Sequence, residues 1–308
     1  MKRSVALVAC LSLSLVACEK TKSEPPTKPA PTATASDPAA PPGSPAPVTK
    51  APTVDPTAVP AGGIKFPAHV HVAGEKVTET DEQTMAMKAE VGPSQTVDVG
   101  SNERRVEVKE TLDVDRGMIA KLKITYQAFA ANETMNGKSK DKPTPTAGKT
   151  YLVWREGDQL KASYEDGSAP PADELKEVVK GNRGVGRPEP LEEIMASHTF
   201  KLGERFELSP DQLAKMNEQL AGGGDNEPSI TGMSFTLQSA DATVATLAMT
   251  MAMAVKGQGN ELTFTLAGSA KVDRTTGRPL EISAIGPFSG FAKVKMTGTM
   301  SMKNAYAY

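Results

Sequence analysis

Thr246-Leu247-Ala248-Met249-Thr250-Met251-Ala252-Met253-Ala254-Val255 decides the fold class. Leu247, Met249, Met251, Met253 and Val255 alternate with Thr246, Ala248, Thr250 and Ala252, so apolar side chains recur at every second position. That period belongs to a strand, whose successive side chains point to opposite faces; a helix would space them by three and four. One face is therefore apolar and the other meets water. Leu262, Phe264, Leu266, Ala270 and Val272 repeat the pattern against Glu261, Thr263, Thr265, Ser269 and Lys271. So do Ala292, Val294, Met296, Met300 and Met302 against Lys293, Lys295, Thr297, Thr299 and Ser301, read as the last strand. Upstream, Val106, Val108, Leu112 and Val114 alternate with Glu107, Lys109, Thr111 and Asp113, which predicts the apolar set inward; Leu122, Ile124 and Tyr126 follow.

Asp115-Arg116-Gly117, Glu156-Gly157-Asp158, Lys256 to Asn260 and Asp273 to Pro279 carry turn chemistry between these runs. Successive strands should pair as antiparallel hairpins. The middle changes period. Leu175, Val178 and Val179 give Ala172 to Lys180 a helical spacing, and Leu191, Ile194 and Met195 do so for Pro188 to Ala196. Ser209-Pro210-Asp211 opens a third helix, with a capping residue and proline at the first helical position, that ends before Gly222-Gly223-Gly224. The expected fold is mainly β: a long curved antiparallel sheet or half-barrel of about ten strands, with two or three short helices inserted midway.

The N-terminus is of another kind. Lys2 and Arg3 precede the apolar run Val5 to Ala17, which is too short to span a bilayer. It ends in Leu15-Val16-Ala17-Cys18, which resembles the lipobox of bacterial lipoprotein signal peptides. The resemblance implies that residues 1–17 are a cleaved signal and that Cys18 carries the lipid that anchors the chain to a membrane. Cys10, in an earlier copy of the same four letters, would leave too short an apolar run. Glu19 follows Cys18 in place of the aspartate linked to inner-membrane retention, which favours the outer membrane. Residues 18–62 hold half of the prolines among Thr, Ala and Lys, with almost no large apolar residue. Such a segment cannot bury enough apolar area to offset its ordering entropy and reads as a disordered tether. Residues 63–308 are then a single β-rich domain. Signal, tether and strand order resemble half-barrel lipoproteins of the LolA and LppX type and uncharacterised envelope lipoproteins, which implies a curved sheet closed by short helices over an apolar cavity.

Composition narrows the function. A net charge of −2 with scattered Lys and Arg gives no footprint for nucleic acid. Both cysteines lie in the first 18 residues, so the rest of the chain has no disulfide, thiol nucleophile or Cys-based metal site. No cofactor motif occurs. Gly181-Asn182-Arg183-Gly184-Val185-Gly186 follows a helix and lacks the lysine of a phosphate loop, so it reads as a flexible loop. His198 has no serine nucleophile near it and is expected to cap or lie at the surface. Glu192/Glu193 and Asp81/Glu82 are consecutive and point apart, and nothing in sequence positions a pair for acid–base work.

His69 and His71, two apart, share a face if their segment is extended, but two histidines are half a metal site and no third ligand is evident; they are read as a solvated pair, with no metal. Trp154 and Tyr151, with Tyr164, are read as an aromatic cluster anchoring the sheet. The terminal Tyr306-Ala307-Tyr308 resembles the aromatic end of outer-membrane barrels, yet aromatic residues are too few for two girdles and the strand faces are charged.

Methionine is the compositional oddity, with 14 in the chain, and it concentrates on the apolar strand faces. Thioethers adapt to irregular ligands, so Met249, Met251, Met253, Met296 and Met300 are candidates for an apolar pocket. They are equally good core filler, and soft sulfur also selects Cu(I), for which a buried apolar face is poorly suited. The functional expectation is an exported, lipid-anchored, non-catalytic β domain that binds a lipid-like ligand or an envelope protein. The alternative is an interaction protein with a filled core, and a cavity of about 300 Å³ or more under the Met face separates the two.

Overall fold

The computed structural model describes residues 59–92, 95–220, 227–257, 260–292 and 294–308. The expected signal, Cys18 and the expected tether up to residue 58 lie outside the described residues, as do the glycines after the third helix.

The alternating runs form long strands. β1 (Ile64–Lys65) is followed by β2 (Lys76–Gly92), β3 (Gln95–Asp115), β4 (Met118–Met135), β5 (Lys138–Asp141), β6 (Thr150–Glu156) and β7 (Gln159–Ser163). Then come α1 (Ala172–Gly181), α2 (Pro190–Ser197), β8 (Thr199–Phe200), β9 (Arg205–Glu207) and α3 (Pro210–Leu220). β10 (Glu227–Ala240), β11 (Val244–Gly257), β12 (Asn260–Asp273), β13 (Pro279–Ala292) and β14 (Val294–Ala307) complete the chain. Among the described residues, twelve strands form one antiparallel sheet in the order β7-β6-β4-β3-β2-β14-β13-β12-β11-β10-β9, with β5 on β4; it is not closed into a barrel. β1 and β8 pair separately, Ile64 opposite Phe200.

Each half is the expected meander of hairpins. The two halves are joined by the first and last long strands: β14 pairs with β2 from Lys295 opposite Glu90 to Ala307 opposite Thr78. The last run read in sequence is in fact two strands, because Ala292 closes β13 and pairs back on Val294, the first residue of β14.

The helices cover one face. α3 is held at its start by a capping box: Gln212 N–H donates to Ser209 Oγ at 3.3 Å, and Ser209 N–H donates to Gln212 Oε1 at 2.8 Å. Asn217 of α3 donates to Ile230 O and accepts from Ile230 N–H, at 3.0 and 2.7 Å, so it occupies β10 groups that an edge strand would leave open to another chain. α1 packs Val178 into a cluster with Leu122, Ile124, Tyr126, Tyr151 and Val153. On the other half, the side chains of Leu247, Met249, Met251, Met253, Leu262, Phe264, Leu266, Met296, Met300 and Met302 are all buried.

The reading of β3 is corrected. Glu107 is fully buried while Val106 and Val108 are half-buried on the opposite face, and Leu112 is exposed. Val97 and Val99 stand opposite Ala89 and Met87, in the same parity as Glu107, and that register turns the polar set inward. The polar side chains form a network of ion pairs. Arg105 reaches Glu103 at 3.1 Å, Glu107 at 3.4 Å and Asp81 at 3.9 Å, and its guanidinium lies 5.0 Å from the Phe129 ring. Lys109 pairs with Glu79 and stands 3.8 Å from Glu107, while Asn304 donates to Asp81. A buried charge is tolerated only when paired in this way.

Candidate functional site

At one end of the sheet a pocket of about 80 Å³ forms between six pieces of chain. The β1–β8 pair and the tilted stack of Phe66 on Phe200, 5.5 Å between ring centres, anchor the segment that enters it. Pro67 then passes over Gly277, where a Cβ would stand 2.3 Å from Pro67 O and where φ is +72°, so only glycine fits the crossing. Gly277 lies in a turn organised by Asp273, whose Oδ1 accepts N–H groups of Thr275 and Thr276 at 2.8 and 2.9 Å; this sets Arg278 beside the pocket. The hydroxyl of Thr275, above all, holds the Asp273 carboxyl below its ordinary range.

Residues 69–72 run with His69 and His71 inward and Val70 and Val72 outward, the valines 67% and 55% exposed. Val72 to Glu75 is a turn: Glu75 N–H donates to Val72 O at 3.2 Å, and Gly74 and Glu75 bond Thr111 through both of its backbone groups. Glu75 is thereby aimed at both rings, 3.2 Å from His69 Nε2 and 4.0 Å from His71 Nδ1. The rings meet edge to face at 4.7 Å. Arg278 pairs with Glu75, stands 3.4 Å from both ring nitrogens of His69, and lies 4.4 Å over the Tyr308 ring. Burial lowers the pKa of His69 despite the pull of Glu75, and Arg278 adds to the lowering.

Across the pocket, Pro188-Glu189-Pro190 starts α2, and Glu189 and Glu192 face His71. The ligand atoms of His71, Glu189 and Glu192 lie within 4.8 Å of one another, as do those of His69, His71 and Glu75. The sequence reading of a solvated pair without a third ligand is thus corrected. Glu75 lies four residues past His71 and is aimed back by its turn, whereas Glu189 and Glu192 come from a helix start far along the chain that no spacing rule joins to the histidines.

The other candidates fall elsewhere. Met249, Met251 and Met302, with Met233, Phe235, Leu191 and Met195, surround a gap of about 30 Å³ under α2. Met253, Met296 and Met300 are buried in the same face. Cys18 lies outside the described residues. His198 stacks on Phe206 at 3.9 Å and occupies the C-cap of α2.

The 181–186 segment is held rather than loose: Arg155 donates to Val185 O and Arg183 O at 2.8 and 2.7 Å, and Gly186 N–H to Ile119 O at 2.8 Å. Tyr151 stacks on Tyr164 at 5.4 Å, but Trp154 points to the other face, where Lys121 lies 5.8 Å from its ring. Both tyrosines donate to Glu174 at 2.6 Å and Lys149 reaches it at 2.5 Å; burial alone would raise the Glu174 pKa, and these hydrogen bonds bring it below its ordinary value. Tyr306 and Tyr308 wall the histidine pocket. On the uncovered face a shallow depression of about 510 Å³ lies over Ala86, Gly100 and Thr299.

No family model matches the chain, and no curated protein matches it. Among solved structures it is similar to lipovitellin, from a study of lipid–protein interactions in that protein, at 7% identity and a TM-score of 0.41, over 77% of this chain and 25% of that one. It is also similar to an outer membrane channel from Pseudomonas putida F1, at 8% identity and a TM-score of 0.20, over 78% of this chain and 98% of that one. At these scores neither likeness says what this chain does.

Proposed function

We propose that the chain is an envelope lipoprotein, anchored through Cys18, whose β domain is a non-catalytic binding module that works through its surface and engages a protein partner. The observation that carries this reading is the filled Met face. A gap of about 30 Å³ is about one water's share of volume, an order of magnitude below the roughly 300 Å³ at which small-molecule pockets begin. The same magnitude weighs against a catalytic cleft under the Met face. The histidine pocket does gather imidazoles and carboxylates, but at about 80 Å³ it is also several-fold below that roughly 300 Å³ threshold.

A lipid-like ligand is the second reading, favoured by one observation: the gap is lined by flexible thioethers and roofed by α2 alone, through Leu191 and Met195. Titration of the full chain with a fluorescent fatty acid tests the pair. The surface reading expects no saturable binding. A saturable one-to-one site lost on Met302→Trp would replace it with the ligand reading. Anchoring is tested by feeding cells an alkyne fatty acid: wild type should incorporate it and Cys18→Ser should not, whereas equal labelling of both would refute lipidation at this residue.

A further inference from the structure

The segment Ala68 to Val72 inverts the hydrophobic rule. Its two valines face water and its two histidines face the protein. An extended segment could meet the hydrophobic rule by turning over by one residue. A local choice that defies patterning marks a site where something else is recognised. Charge points the same way: the pocket is lined by four carboxylates, Glu75, Glu79, Glu189 and Glu192, against two cations, Lys109 and Arg278, a formal excess of two negative charges. A confined space with imidazole nitrogen, carboxylate oxygen and excess negative charge is complementary to a small divalent cation.

We propose that this pocket binds one divalent transition-metal ion of the Zn²⁺ class, held by His71, Glu189 and Glu192, with Glu75 completing the set. Arg278 already occupies the His69 side of Glu75, so the ion lies on the His71 side. In a tetrahedral zinc site with bonds of about 2.0–2.1 Å the ligand atoms stand about 3.4 Å apart. The ligand atoms of His71, Glu189 and Glu192 now lie within 4.8 Å of one another, and Glu75 stands 4.0 Å from His71; side-chain rotations would draw them onto the ion. Mixed nitrogen and oxygen donors favour Zn²⁺ over Ca²⁺ or Mg²⁺, which take oxygen alone. His69 and Arg278 are positioning residues: they hold Glu75 and touch no ion. The ion would tie the N-terminal segment to α2, and with it the end of the tether to the folded sheet.

The test is a Zn²⁺ titration of the EDTA-stripped full chain by calorimetry, with Co²⁺ as a spectroscopic substitute. The proposal expects one Zn²⁺ per chain, a rise in Tm on binding, and Co²⁺ visible bands. His71→Ala and Glu192→Gln should each weaken binding at least tenfold and abolish those bands, while His198→Asn, which changes the one histidine outside the pocket, should leave affinity within threefold. Thermal melts establish that each variant is folded, and the milder Glu192→Gln stands in if His71→Ala is not. Absence of stoichiometric Zn²⁺ binding by wild type would overturn the proposal. So would unchanged affinity in both pocket variants, or displacement of Zn²⁺ by equimolar Ca²⁺.

Discussion

Met251→Ala removes the γ-carbon, sulfur and methyl of a buried side chain that borders the gap under α2. Truncations of this kind in a packed core cost about 2–5 kcal/mol, through lost transfer energy and the cavity left behind. The surroundings here are sheet residues on long strands, Met233, Phe235 and Met249, which cannot collapse far, so about 3 kcal/mol is expected. For a domain of this size each kcal/mol lowers Tm by about 2–4 °C, which gives a fall of about 6–12 °C. Calorimetric melts of the full chain would read it, beside Thr265→Ala on the solvent face of the neighbouring strand, which should cost under about 1 kcal/mol. A Met251→Ala protein that melts with wild type would refute the filled-core reasoning, because a side chain lining an open pocket can be shortened at little cost.

The polar band makes a second demand. Arg105→Leu leaves Asp81, Glu103 and Glu107 gathered without their shared guanidinium, and should destabilise by about 3–5 kcal/mol in denaturant melts. Asn217→Ala removes both hydrogen bonds to Ile230 and should speed amide exchange at Ile230 with a loss of about 1–2 kcal/mol; unchanged protection there would mean that the edge is guarded otherwise. Glu174 has a folded pKa below its unfolded value, so its contribution is present at neutral pH, fades below the unfolded value of about 4.3, and is gone once the pH has dropped past the folded one. The Tm advantage of wild type over Glu174→Gln should therefore shrink as the pH falls through that window, and an advantage that grew on acidification would contradict it.

How much of this was legible in sequence depends on the range of the interaction. β11 and β12 were readable because each carries one unbroken apolar face, and α1, α2 and α3 because their spacing, prolines and capping residues are local. β3 was not, because it holds two valine pairs of opposite parity, Val97/Val99 and Val106/Val108, and only its neighbours decide between them: Met87 and Ala89 on one side, Arg105 and Lys109 answering Asp81 and Glu79 on the other. The β2–β14 pairing joins residues more than two hundred positions apart and has no local signal. The pocket was half legible. His69 and His71 announce themselves by spacing, whereas Glu75 needs the Val72 to Glu75 turn and Glu189 and Glu192 need α2 laid across the sheet.

Native mass spectrometry of the full chain, extracted from envelopes and freed of detergent in the instrument, tests the filled-core, surface-acting account most directly when combined with organic extraction of the same sample. The account predicts the mass of the chain with its own covalent acyl groups and nothing else. A stoichiometric noncovalent lipid, recovered in the extract and lost on Met302→Trp, would contradict it.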